Sequence, residues 1–152
     1  MVLNQSSGAI MPSLRSLLEQ MDACAQDLEA ITQREYEAIR SLDGEQILQA
    51  SQQRIITHQY LGELEQQMRQ LLAQHQVSSQ LPISAVIDMY ADDQTTALQA
   101  LRRNLHERML KIDQNSQENR MRLHAAYSVS STILQQLGLS PAQQTYNRRS
   151  AV

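Results

Sequence analysis

From Leu14 onward, apolar residues return at alternating intervals of three and four: Leu14, Leu17, Met21, Cys24, Leu28, Ile31, then Ala38 and Leu42. That rhythm is the seam of one α-helix lying lengthwise on another. A strand turns its side chains to opposite faces at every second residue and cannot gather this set on one side. Glu35 is the single intrusion, standing where the next apolar residue is due. Composition narrows the choice further. The chain holds 23 Gln but only 4 Gly and 3 Pro, so helix formers abound and the residues that punctuate strands and turns are scarce. There is no Phe and no Trp, and 41% of residues are apolar. A core of Leu, Ile, Met and Ala suits a narrow helix–helix seam better than a thick globule. At 152 residues the chain amounts to about one domain.

Residues 1–10 are small and polar and are expected to be a disordered N-terminus, with Pro12 in the first turn of the first helix, where its missing N–H costs nothing. Asp43-Gly44-Glu45-Gln46 is a restart: Asp43 can cap the next helix, with Gln46 three residues on as in a capping box. The second helix is expected to reach about His75, with Ile47, Leu48, Ile55, Leu61, Leu64, Met68, Leu71 and Leu72 on one side. Two matched amphipathic helices with so short a connection form an antiparallel hairpin. Residues 76–82 read as a loop and Ile83–Tyr90 as one short helix. A third long helix is expected from Asp92 or Asp93, whose carboxylates favour a helix N-terminus, to Leu137, with Gly138 as its C-cap. Its face is clear at Leu98, Leu101, Leu105, Met109 and Ile112, fails at Ser116 and Asn119, and resumes at Leu123, Ala126, Tyr127, Ile133, Leu134 and Leu137. The fold class is therefore all-α: an antiparallel bundle or coiled coil of three long helices plus one short helix. The bundle domain occupies residues 11–138 and a flexible C-terminal tail residues 139–152.

Chemistry has no foothold in this pattern. His58, His75, His106 and His124 are far apart, and none has a second ligand at a metal-binding spacing. His106-Glu107 begins a zinc-helix signature, but Leu110 stands where the second histidine belongs. His58 lacks the following lysine of a phosphoryl-accepting helix, since Lys111 is the only lysine. Cys24 falls on the apolar stripe, the usual place of a buried inert thiol. No catalytic residue, metal, cofactor or small-molecule substrate is expected. The net charge of −3 argues against nucleic acid as a partner. No apolar run approaches the roughly 18 residues of a membrane span, no secretory signal precedes Pro12, and a single cysteine fits a reducing compartment. The expectation is a cytoplasmic binding protein.

Three segments carry a resemblance. Leu42-Asp43 through Leu48 to Arg54 has an acidic-Leu-basic rhythm at the start of the second helix, Gln117-Glu118-Asn119-Arg120-Met121 centres on an asparagine in the last long helix, and Gln144-Thr145-Tyr146-Asn147-Arg148-Arg149-Ser150 closes the chain. In these the chain resembles the FlgN family of flagellar export chaperones over roughly residues 14–150. It departs at Arg120, Asn147 and Ser150, where family members often carry glycine. The resemblance implies a cytoplasmic chaperone that binds the hook–filament junction subunits FlgK and FlgL and delivers them to the flagellar type III export gate, with Tyr146 docking on the gate protein FlhA. On the residues alone, Leu123, Ala126, Tyr127, Ile133, Leu134 and Leu137 either hold the subunit or complete the bundle core. Small residues Ala125, Ala126, Ser128 and Ser130 would allow a partner close approach, and polar Asn115, Ser116 and Asn119 are expected to loosen this segment from the rest. The alternative function is a structural or adaptor coiled coil acting by self-association.

Overall fold

A computed structural model describes residues 4–90 and 93–138. Its described part contains helices α1 (Asn4–Arg40), α2 (Gly44–Gln74), α3 (Ile83–Tyr90) and α4 (Thr95–Gln136). At 1.5 Å per residue the long helices measure about 55 Å, 45 Å and 65 Å in chain order. The all-α expectation holds, and the short helix and the loop before it lie where the sequence places them.

The start of α1 corrects the sequence reading. Residues 4–10, expected to be disordered, are helical, and Pro12 lies inside α1 rather than in its first turn. An interior proline forgoes one backbone hydrogen bond. The compensation is burial: Ile10 and Leu14 have no exposed surface, and Met11 is buried beside them. Ile10 stands four residues before Leu14 and so extends the seam toward the N-terminus.

The C-terminal ends of α1 and α2 are both closed by backbone geometry. Asp43 N–H donates to Ala38 O (2.9 Å) and Leu42 N–H to Ile39 O (3.1 Å), with Leu42 in the left-handed region at φ 54°. These are the two bonds of a Schellman stop, built on a leucine where glycine is usual. Asp43 then starts α2 by accepting from Gln46 N–H (3.2 Å), so one residue ends one helix and caps the next. The far end repeats the device. Val77 N–H donates to Leu72 O (2.9 Å) and Gln76 N–H to Ala73 O (3.1 Å), with Gln76 at φ 57° and Val77 buried. At the end of α4, Gly138 takes the left-handed position at φ 76°. That helix begins at Thr95 with Gln94 as an N-cap that makes no side-chain bond. Asp92 lies outside the described residues.

Cross-links fix the topology. Cys24 reaches Thr57 O across α1 and α2, and Gln20 pairs with Tyr60, so the hairpin is antiparallel. Asp22 meets Arg108 and Thr32 meets Asn119, so α4 runs beside α1 in the same direction and against α2. Helix α1 lies between the other two, packed on both, while α3 touches α1 and α4. The main core sits at the α3 end, where Ile10, Met11, Leu14, Leu17 and Leu18 meet Leu64, Met68, Leu72, Val86, Ile87 and Leu98. A smaller cluster follows at Ala25, Leu28 and Ile112. The inward line of α2 differs from expectation in its first half: Leu48 and Ile55 are exposed, and Ala50 is buried in their place. Residues 47–56 carry apolar side chains on more than one face, and the face that turns inward is the one that brings Arg54 to its partners.

Candidate docking surface at the open end of the bundle

The hairpin turns at residues 41–43, but α4 does not stop there. Its side-chain bonds to α1 join residues 79 to 87 apart in sequence, three of the four at 84 to 87, so Arg40 is level with about residue 125. The remaining ten or so residues of α4 therefore project about 15 Å past the hairpin tip. Tyr127, Ile133 and Leu137 are exposed there, Tyr127 and Leu137 by about two thirds, and Leu123 is exposed just short of the tip, while Ala126 and Leu134 are half-buried. Helical geometry puts Leu123, Tyr127, Leu134 and Leu137 on the face that is buried higher up at Leu98 and Ile112 and half-buried at Leu105. The core stripe thus continues past the end of its own core. Beside it the hairpin tip exposes Leu42 and Leu48. A groove of about 220 Å³ runs between Ile39, Ile47 and Ser51 on the hairpin and Arg120 and Leu123 on α4.

At the root of this groove the three long helices are joined by polar groups. The Arg54 guanidinium donates from Nε to Glu35 Oε2 (3.2 Å), from Nη1 to Ser116 Oγ (3.0 Å) and from Nη2 to Thr32 Oγ1 (2.9 Å). Thr32 Oγ1 in turn donates to Leu28 O (2.7 Å). Asn119, 1% exposed, donates from Nδ2 to Thr32 O (3.1 Å) and Glu35 Oε1 (3.2 Å), and its Oδ1 accepts from Arg122 Nη1 (3.1 Å). Arg122 lies over the Tyr36 ring, 4.8 Å from its centre, a cation–π distance. Among the described residues no buried side-chain nitrogen or oxygen lacks a partner. The Glu35 intrusion in the first seam and the failed face at Ser116 and Asn119 are therefore one layer seen from two helices. The expectation that Ser116 and Asn119 loosen the segment is reversed: their side chains fasten it. A more exposed ion cluster one step up, Arg108 with Asp22 (3.2 Å) and Glu29 (2.5 Å), ties α4 to α1 again.

The candidate reactive groups are placed as structural ones. Cys24 is buried with its thiol 3.4 Å from Thr57 O, and burial, then the nearby Asp27, pushes its pKa up, away from the thiolate a nucleophile needs. Desolvation, then the Arg54 charge, lowers the pKa of His58. His75 Nδ1 lies 2.9 Å from Leu71 O at the end of α2. Among the described residues no three His, Cys, Asp or Glu side chains gather as a metal would require, and no helix is long and apolar enough to cross a membrane. Tyr146 lies outside the described residues. Sequence reasoning missed Arg54 and Thr32. The available signal was Glu35: a carboxylate on a buried seam must find a cation, and Arg54 stands on the helix packed against it.

A family model described as FlgN protein matches residues 11–151. That span takes in the hairpin, α3, α4 and the closing segment with Tyr146. No curated protein and no solved structure matches the chain.

Proposed function

The chain belongs to the FlgN family of flagellar export chaperones, and from that premise we propose that it holds hook–filament junction subunits of the FlgK and FlgL type in the cytoplasm and delivers them to the export gate protein FlhA. The observation that carries the proposal is the stripe Leu123, Tyr127, Leu134 and Leu137, co-facial with the core, in which Leu123, Tyr127 and Leu137 are exposed and Leu134 is half-buried. A subunit segment destined for a coiled coil must be kept from pairing early, and an amphipathic helix laid on this stripe would complete the bundle with a substitute partner. Ala126 and Ile133 flank the stripe and would border the bound helix. Nothing in this reading involves a catalytic step, a metal or a cofactor.

The gate contact is assigned to Tyr146, a large ring with a hydroxyl handle that costs little side-chain entropy to fix. Two surfaces then serve two partners, which separate titrations can tell apart. Leu134→Asp should weaken subunit binding about thirtyfold, the loss of an anchor of about 2 kcal/mol, and leave gate binding intact. Tyr146→Ala should do the reverse. If both variants lose both partners, or Tyr146→Ala changes neither, the two-surface reading fails. If the chain alone forms a dimer that Leu134→Asp dissolves, the stripe serves self-association instead.

A further inference from the structure

The seams of this bundle are built from interchangeable aliphatic residues, with no Phe or Trp to key one position to another. Such seams define a face but fix the lengthwise alignment of two helices weakly, because a shift of one heptad exchanges like for like. Moving α4 seven residues toward its N-terminal end would put Leu105 in the place of Leu98 and Ile112 in the place of Leu105. It would also draw Leu123 and Ala126 into the sites of Ser116 and Asn119, burying part of the stripe that now projects. On apolar burial alone the shifted alignment competes with the observed one.

The polar layer opposes that shift twice over. After it, Asn119 would occupy the site of Ile112, which is 3% exposed and packed with Ala25 and Leu28, where its amide would find no partner. Arg54, Glu35 and Thr32 would at the same time face Leu123 and Ala126 and lose the groups they now bond on α4. A buried polar group is costly to orphan, and one polar position in an aliphatic seam is known to specify register. We infer that the Thr32–Glu35–Arg54–Ser116–Asn119 layer is a register lock, which holds α4 in the alignment that keeps its distal stripe uncovered. The lock is a property of this chain alone. Only its purpose, keeping a docking stripe clear, rests on the proposed function.

Disulfide trapping without any partner reads the alignment directly. In a Cys24→Ala background, Tyr36→Cys with Arg122→Cys reports the observed register, since these side chains are stacked. Tyr36→Cys with Val129→Cys reports the register shifted by seven. The native layer should close the first pair at least about tenfold faster than the second, as a dominant population requires. The decisive variant moves the lock without changing composition: Ser116→Leu, Asn119→Ala, Leu123→Ser and Ala126→Asn. There the 36–129 pair should become the faster one. A second variant makes the layer wholly apolar (Thr32→Val, Glu35→Leu, Arg54→Leu, Ser116→Ala, Asn119→Leu) and should close both pairs at comparable rates while staying helical. If 36–122 remains the faster pair in both variants, the packing of α3 and the Gln99 bonds to Ser84 and Asp88 set the register and the inference is overturned. If neither variant is helical, the layer is a folding requirement rather than a lock, and the inference fails on that ground.

Discussion

Between Leu98 and Asn119 the inward face of α4 is covered by its neighbours, and Leu98, Ile112, Ser116 and Asn119 are buried. From Leu123 to Leu137 the same face, at the same helical spacing, is mostly in solvent. Nothing in the local sequence of the second half is less apolar than in the first. The difference lies in the neighbours: α1 ends at Arg40 and α2 begins at Gly44, so the distal stripe beyond Leu123 has outrun them. Periodicity specifies which face of a helix seeks burial; the length of the neighbouring helix decides whether it finds it.

The sharpest way to break this comparison is to place the same charge in each region. Leu28→Asp, at a site with no exposure on the covered side, should cost several kcal/mol, about 3–5, because an unpaired carboxylate is buried. Tyr127→Asp, on the uncovered side, should stay within about 1 kcal/mol of the parent. Urea denaturation followed by circular dichroism measures both. Equal losses would mean that the distal stripe is covered after all, by residues beyond those described.

A smaller effect is expected at the boundary between the two regions. Arg54→Met removes the cation from Glu35, whose side chain is only 15% exposed, and also strips a donor from Thr32 and Ser116. Breaking one side of a buried pair should destabilise by about 3 kcal/mol. Adding Glu35→Met to the same chain should restore much of that loss, since no orphaned carboxylate remains. A double variant no more stable than Arg54→Met alone would show that the ion pair is not what makes Arg54 important.

The smallest change sharpens the comparison at the hairpin tip. Leu42 holds a left-handed backbone at φ 54° with 71% of its surface exposed, so its side chain gains little there and its Cβ is strained. Leu42→Gly should therefore stabilise the chain by about 0.5–1 kcal/mol, the relief of strain less the added freedom of the unfolded state. Its midpoint of denaturation should rise without a change in slope. If Leu42 belongs to the docking surface together with the distal stripe, the same variant should weaken subunit binding while raising stability, an opposition a purely structural residue would not show.

The helices themselves were legible because their signals are local. The three-four spacing, Asp43 as an N-cap, the Gln76–Pro82 break and Gly138 as a stop each act over one or two turns, and each lies where the sequence puts it. What was misread depended on distant residues. Ile10 is core only because it joins a cluster with residues of α2, α3 and α4. Leu48 and Ile55 lost the inward side of α2 because Arg54 could bond to two other helices from that side. Ser116 and Asn119 looked like a weak point because polar residues on a seam count against burial until their partners are known. The candidate surface was legible as a list, Leu123 to Leu137, but not as a surface.

By itself, then, the sequence determined the kind of element and most of its faces: four helices, the stripes of α1 and α4, the Asp43 cap and the Gly138 stop, with no clustered chemistry at recognisable spacings. Those properties follow from backbone propensity and short-range periodicity, which a chain carries wherever it goes. Tertiary structure alone decided the alignment of α4 against α1, and with it which polar residues meet and which apolar residues are left over. The physical reason is that an aliphatic seam is nearly periodic, so its alignment is settled by a few geometry-demanding bonds between residues more than 80 positions apart, such as Asn119 to Thr32 and Glu35.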